Sequence, residues 1–208
     1  NDGFSLYEIA IPGQPLQFFL NTEKAPTDDA RVRQALLHAV DRDSIVSTIF
    51  QGYSPVAYGP LSAVTMAFDP SVETTYTYDP ARAAALLEEA GWADSDGDGI
   101  RDKGGQPLSL QAYLMSWGYL PEIGQMLQNQ LAAVGIDLQT QTVAFPAALE
   151  AASKSEHHLA PMTFFGSDPS VLEFTYPWSQ SSQVRSTSRG ADEGLDSLLS
   201  GSVGESDA

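Results

Sequence analysis

A chain of 208 residues with 42% apolar and 10% aromatic side chains can bury a real core and is too apolar to be disordered. Ten basic residues against 27 acidic ones give a formal net charge of −17, which argues against nucleic acid and anionic lipid as partners, because both are held by Lys and Arg displacing counterions. The absence of cysteine excludes a disulfide framework, a thiolate metal site and a cysteine nucleophile. The acidity by itself needs no more than a role in solubility. No stretch approaches the roughly 20 apolar residues of a membrane span. The opening Asn1-Asp2-Gly3-Phe4 is neither a Met start nor a signal peptide, so the chain reads as a piece of something longer.

Pro15 to Asn21 reads as a short buried strand between turn residues. Asp28 or Asp29 can cap the helix that follows, whose apolar stripe is Val32, Ala35, Leu36, Ala39 and Val40. Asp43 is expected to cap a second helix, Ser44 to Phe50, ended by Gly52. Tyr53 to Tyr78 is a Pro- and Ser-rich connection without periodicity. Asp79-Pro80 opens a third helix through Ala90, stopped by Gly91. After a polar loop come a strand at Leu108–Met115, a helix at Pro121–Val134, a strand at Ile136–Val143, a short helix at Pro146–Ser153 and a strand at Leu159–Phe165. This β-α-β-α-β run predicts an α/β fold with a mixed, mostly parallel sheet flanked by helices. One lobe is expected over 1–208, with its core at about 15–186 and a poorly structured acidic tail from about 187 to 208, in which Asp192 to Leu199 can form one helix.

In an open α/β sheet, ligands bind outside the carboxyl ends of the strands. The strands deliver Ser116, Trp117 and Tyr119, then Phe145, then Phe165, Gly166, Ser167 and Asp168 to that edge. Aromatic faces and a carboxylate on one rim suit an organic ligand bearing an ammonium group. The plainer alternative is that Trp117 and Tyr119 cover the core while Asp168 caps a helix starting at Pro169.

Asp94, Asp96, Asp98 and Asp102 occupy alternate positions and the ninth position of a calcium-type loop, with Gly99 at the sixth. The twelfth position is Gly105 where a bidentate Glu is required, and an acidic turn closed by its own Asp–backbone hydrogen bonds accounts for the same residues. No nucleophile elbow, phosphate loop, H-E-x-x-H or dinucleotide fingerprint occurs. His38 lies in a helix, and His157-His158 follow Lys154-Ser155-Glu156 in what reads as a solvated connection.

Asn21 with Ala30-Arg31-Val32-Arg33-Gln34-Ala35-Leu36-Leu37-His38-Ala39-Val40-Asp41-Arg42, then Gly52-Tyr53-Ser54-Pro55-Val56-Ala57-Tyr58-Gly59-Pro60, resembles bacterial extracellular solute-binding proteins of family 5. Tyr78-Asp79-Pro80, Leu86 to Trp92, the Asp-rich turn and Leu131 to Ile136 are similar to the same family, and the resemblance runs from about Leu16 to about Leu199. It implies the second lobe of a two-lobe, class II periplasmic-binding-protein-like fold. It further implies a periplasmic or extracellular monomer, lipid-anchored in some members, that captures a peptide, nickel complex or sugar for an ABC permease, without catalysis. In peptide-binding members an aspartate after the strand contacts the ligand's amino group, and Asp168 stands in that place, with Phe165 where Trp is common. The rival functions are a calcium-stabilised structural or adhesion module and a small α/β hydrolase.

Overall fold

A computed structural model describes residue 7, residues 9–174 and residues 192–202. Strand β1 (Gly13–Leu20) leads into α1 (Ala30–Ala39), α2 (Arg42–Phe50), a short 3-10 helix at Pro70–Thr74 and α3 (Pro80–Glu89). A small hairpin, β2 (Asp102–Lys103) and β3 (Gln106–Pro107), precedes the alternating run β4 (Ser109–Met115), α4 (Leu120–Ala132), β5 (Asp137–Val143), α5 (Phe145–Ser153) and β6 (Leu159–Phe165). A 3-10 helix at Pro169–Phe174 and α6 (Glu193–Ser202) follow. The four-stranded sheet has the order β1-β6-β4-β5, with β4 parallel to β5 and β6, and β1 antiparallel to β6. The mixed, mostly parallel sheet of the sequence reading is therefore present.

Local chemistry sets the helix boundaries. Asp29 caps α1 by accepting the Arg31 N–H at 2.9 Å, and Asp79 caps α3 through Arg82 at 2.9 Å. Helix α2 differs from expectation. Asp41, not Asp43, is its cap, accepting the Ser44 N–H at 2.9 Å, so the helix begins two residues early. Asp43 instead accepts the Tyr58 hydroxyl at 2.6 Å. The expected stripe on α1 is buried except for Val40, which takes an extended conformation at the C-cap. The β2–β3 hairpin escaped the pattern reading, although Gly104 and Gly105, both left-handed, carry the signal of a two-residue turn. Within the expected tail, Asp192 caps α6 through the Gly194 and Leu195 N–H groups, while 187–191 and 203–208 lie outside the described residues.

The core is made by α1, α3 and α4 closing over β4 and its neighbours. Leu36, Leu86, Leu87, Leu110, Leu114, Leu120, Leu131 and Ile136 are all essentially inaccessible to solvent. A Cβ at Gly124 would collide with the Leu114 side chain, so glycine there lets α4 sit directly on β4.

The two histidines expected in solvent are buried: His157 is 1% and His158 8% exposed. They sit where β6 begins, wedged between β4 and the exit of β1. The Gln111 N–H donates to His158 Nδ1 at 2.8 Å, the His158 N–H donates to the Gln111 carbonyl at 2.8 Å, and Nε2 bonds the Ala25 carbonyl at 3.0 Å. Fully buried Asn21 ties in from β1, donating its side-chain amide to the His157 carbonyl at 3.1 Å and its N–H to the His158 carbonyl at 2.9 Å. Burial pulls the His158 imidazole from its ordinary 6.5 down to about 4, so the neutral ring that both accepts and donates is the resident form.

His158→Ala leaves the Gln111 N–H and the Ala25 carbonyl without their partner and is expected to cost about 2–4 kcal/mol in urea unfolding. Because the folded pKa lies below the unfolded one, the ring's stabilising contribution is whole above about pH 6.5 and is lost as pH falls through about 4. Over that window the melting temperature of the wild type should fall more steeply than that of the non-titrating His158→Asn; parallel curves refute this role.

Candidate functional site

Parallel pairing sends the carboxyl ends of β4, β5 and β6 to the same edge of the sheet. The loop after β4 presents Ser116, Trp117, Gly118 and Tyr119, all exposed, with Trp117 at 49% and Tyr119 at 57%. Phe145, at the start of α5 beyond β5, is 49% exposed, and Phe165, the last residue of β6, is 71% exposed. Ser167 and Asp168 follow it, also exposed. Four large aromatic side chains left in water along one edge are unusual for a surface with no partner.

Each loop is built by a specific device. A Cβ on Gly166 would collide with Val171, so glycine lets the 3-10 helix fold back over the end of β6. Asp168 begins that helix, accepting the Ser170 N–H at 2.8 Å, and this hydrogen bond holds its carboxyl below the usual range. The cap reading of Asp168 is therefore realised, and the exposed carboxylate stays charged at neutral pH. Across the rim, Gly118 and Tyr119 are both left-handed, at φ 64° and 62°. A side-chain-bearing residue in that region costs about 1 kcal/mol or more, and such strain persists where the surroundings over-determine it. The Tyr119 ring meets Phe50 edge to face at 5.6 Å, bringing the end of α2 to the same rim. Beyond Phe50, Gly52–Pro55 form one wall of an open groove of about 780 Å³, and Tyr7, Ile9 and Ala10 form the other. Sequence reasoning missed Phe50 and this groove, because neither adjoins a strand end in the chain.

The Asp-rich turn is a separate structure. One carboxylate oxygen each of Asp94, Asp96 and Asp98 lies within 4.8 Å of the others. Those carboxylates also serve the turn itself, with the N–H groups of Gly97 and Gly99 donating to Asp94, that of Asp98 to Asp96, and that of Ile100 to Asp98, at 2.8–3.2 Å. Asp102 is not in the group. It accepts the Ser95 hydroxyl at 2.6 Å and the Ser95 N–H at 2.9 Å, bonds that hold its carboxyl low. Three carboxylates with neither Asp102 nor a twelfth-position Glu make part of a calcium shell, and the residues present do not fit a complete one.

The histidines do not meet at the rim. His38 Nδ1 bonds the Thr77 carbonyl at 2.8 Å, and the other two belong to the β4–β6 junction. No group of three or more His, Cys, Asp or Glu side chains among the described residues, apart from Asp94, Asp96 and Asp98, is close enough to share an ion.

Comparison with known proteins supplies a second line of information. The profile described as bacterial extracellular solute-binding proteins, family 5 middle region, matches residues 4–186. The oligopeptide-binding protein AppA of Bacillus subtilis (strain 168) is 38% identical over 124 residues, 59% of this chain and 23% of that protein. The nickel-binding periplasmic protein of Escherichia coli (strain K12) is 32% identical over 136 residues, covering 63% of this chain and 25% of the relative. The dipeptide-binding protein of the same strain is 31% identical over 166 residues, 78% and 29%. The structure of B. subtilis AppA in complex with a nonapeptide matches with a TM-score of 0.80 at 28% identity, over 95% of this chain and 40% of that one. The chain thus spans 40% of this solved relative.

Calcium offers a direct check on the acidic turn. Because its carboxylates already hold backbone amides, millimolar calcium is expected to leave the melting temperature unchanged within about 2 °C. A rise of several degrees that disappears in Asp96→Asn would make the turn an ion site.

Proposed function

Because this chain belongs to the bacterial extracellular solute-binding proteins of family 5, we propose that it is the second lobe of a two-lobe capture protein whose solute, a peptide, lies against the edge formed by Trp117, Tyr119, Phe165, Ser167 and Asp168. The supporting observation is the parallel pairing of β4 and β6, which directs both loops to one edge. The aromatic faces contact the body of the solute, and the Asp168 carboxylate, charged at neutral pH, pairs with its terminal ammonium. Ser167, exposed beside it, is a hydrogen-bonding partner for the peptide backbone.

Capture proceeds by hinge closure of the other lobe over this edge, followed by delivery to an ABC permease. It involves no covalent step and no cofactor. Closure also changes the electrostatics. In the open lobe Asp168 is exposed and a charge pair there is worth little, but once the second lobe excludes water the same pair strengthens severalfold. The protein works as a monomer outside the cytoplasm, and a lipid anchor on the mature protein is part of the reading.

The experiment is equilibrium dialysis of the full-length protein against a pool of random hexapeptides and its N-acetylated counterpart. Wild type should retain the free-amine pool, and Asp168→Ala should weaken retention about tenfold. Acetylation should cost wild type a comparable amount and Asp168→Ala little, because the partner is already gone. Equal retention of the two pools by wild type would remove Asp168 from the site, leaving it a helix cap alone.

A further inference from the structure

Two backbone corners of the same construction meet at the rim. Helix α2 ends at Phe50, and the next two residues, Gln51 and Gly52, are left-handed at φ 53° and 80°. Helix α4 is entered through Gly118 and Tyr119, left-handed at φ 64° and 62°. In each corner one of the two left-handed residues is not glycine. Strain of this kind gathers at ligand clamps, where a fixed loop shape matters more than its local energy.

What holds the second corner is visible in its contacts. Below it, Leu120 is fully buried and anchors the first turn of α4. The Leu120 N–H donates to the Trp117 carbonyl at 3.2 Å, and the Ile123 N–H donates to the Tyr119 carbonyl at 2.9 Å. These bonds fix the backbone and leave the ring undetermined. No side chain caps the helix at Tyr119, and its hydroxyl makes no hydrogen bond to the described residues. The ring is oriented by Phe50, half-buried against the core, whose centroid lies 5.6 Å away at an interplanar angle of 79°. That edge-to-face arrangement is the one the aromatic quadrupoles favour.

We infer that Phe50 is a positioning residue for the solute site: it holds the Tyr119 ring at the rim in its binding orientation, and so joins the end of α2 to the loop after β4. The inference rests on the reading of the rim as the solute site. Phe50 acts through Tyr119, whose ring meets it edge to face and keeps more than half of its surface exposed to the solute. Pre-orienting a ring in this way removes the ordering cost that a freely rotating tyrosine would incur on binding. The Tyr53 N–H donates to the Phe50 carbonyl at 2.8 Å, so the corner beyond Phe50, with its groove wall at Gly52–Pro55, is tied to the same residue.

The test is a double-mutant cycle in the full-length protein, with the random hexapeptide pool as probe. Phe50→Leu keeps an apolar side chain and is expected to weaken retention about fivefold to tenfold, while Phe50→Trp, which can stack again, stays within about twofold of wild type. Tyr119→Gly keeps the left-handed backbone and removes the ring. In that background Phe50→Leu should change nothing further, because the residue it acts through is absent. Wild-type retention in Phe50→Leu, or a loss of equal size with and without Tyr119, overturns the inference. Should Phe50→Leu fail to fold, Phe50→Met, which also removes the ring, takes its place in the cycle. A wild-type protein that retains no peptide overturns the reading of the rim and the positioning role with it; binding by wild type without coupling between the two positions overturns the positioning role alone.

Discussion

The rim exists because β6 lies beside β4 in one alignment, and that alignment hangs on few hydrogen bonds. Between the two strands the ladder records a single residue pair, Ala112 with Leu159, whereas β4 and β5 pair over seven positions. The His158 side chain makes up the difference. It takes the Gln111 N–H, and its own backbone bonds the Gln111 carbonyl, so side chain and backbone together occupy the ladder sites just before β6 begins. A one-residue slip would move Phe165 and Asp168 relative to Trp117 and turn every β6 side chain to the opposite face. The polar knot at one edge of the sheet thus sets the geometry at the other.

Buried polar groups cost free energy unless they are paired, and Asn21 is the most completely paired member of this knot. Asn21 is inaccessible to solvent, and each of its polar groups has a partner: the His157 carbonyl for its amide, the Glu23 N–H for its side-chain oxygen, and the Thr27 hydroxyl for its carbonyl. In a low-dielectric interior such networks fix one arrangement, since any alternative leaves buried polar atoms unpaired. The neutral His158 ring belongs to the same logic, because a protonated ring could not accept from Gln111.

Several cations among the described residues serve structural ends. Arg101 donates to the carbonyls of Val134 and Trp92 at 2.9 and 3.0 Å, closing the C-terminal ends of α4 and α3, and pairs with Glu88 at 3.5 Å. Lys103 does the same at Ala90 and Arg42 at Leu37, and Arg42 also donates to the Tyr76 carbonyl in the following connection. Arg31 and Arg33 of the R-V-R segment bond Asp29 and the Glu89 carbonyl, and the carbonyls of Thr27 and Asp28. Guanidinium and ammonium groups at helix C-termini satisfy orphan carbonyls and complement the dipole. That segment carries the family resemblance for reasons of architecture, and it contributes nothing to the rim.

The linear sequence determined what short-range chemistry controls: the helices opened by Asp29 and Asp79, the strands at β4, β5 and β6, and the edge of the sheet at which their loops emerge. These follow from capping side chains, periodicity and the parallel order of a β-α-β run, all of which act within about a dozen residues. It also placed Trp117, Phe165 and Asp168 at one edge, since strand ends are legible from strands. Tertiary structure alone decided the roles of His157, His158 and Phe50. A histidine in a polar stretch has the same sequence signature whether it faces water or fills a gap in a ladder, and the choice depends on Gln111 and Ala25, 47 and 133 residues away. Phe50 and Tyr119 come together only because α2 packs against α4, a proximity that no local pattern encodes.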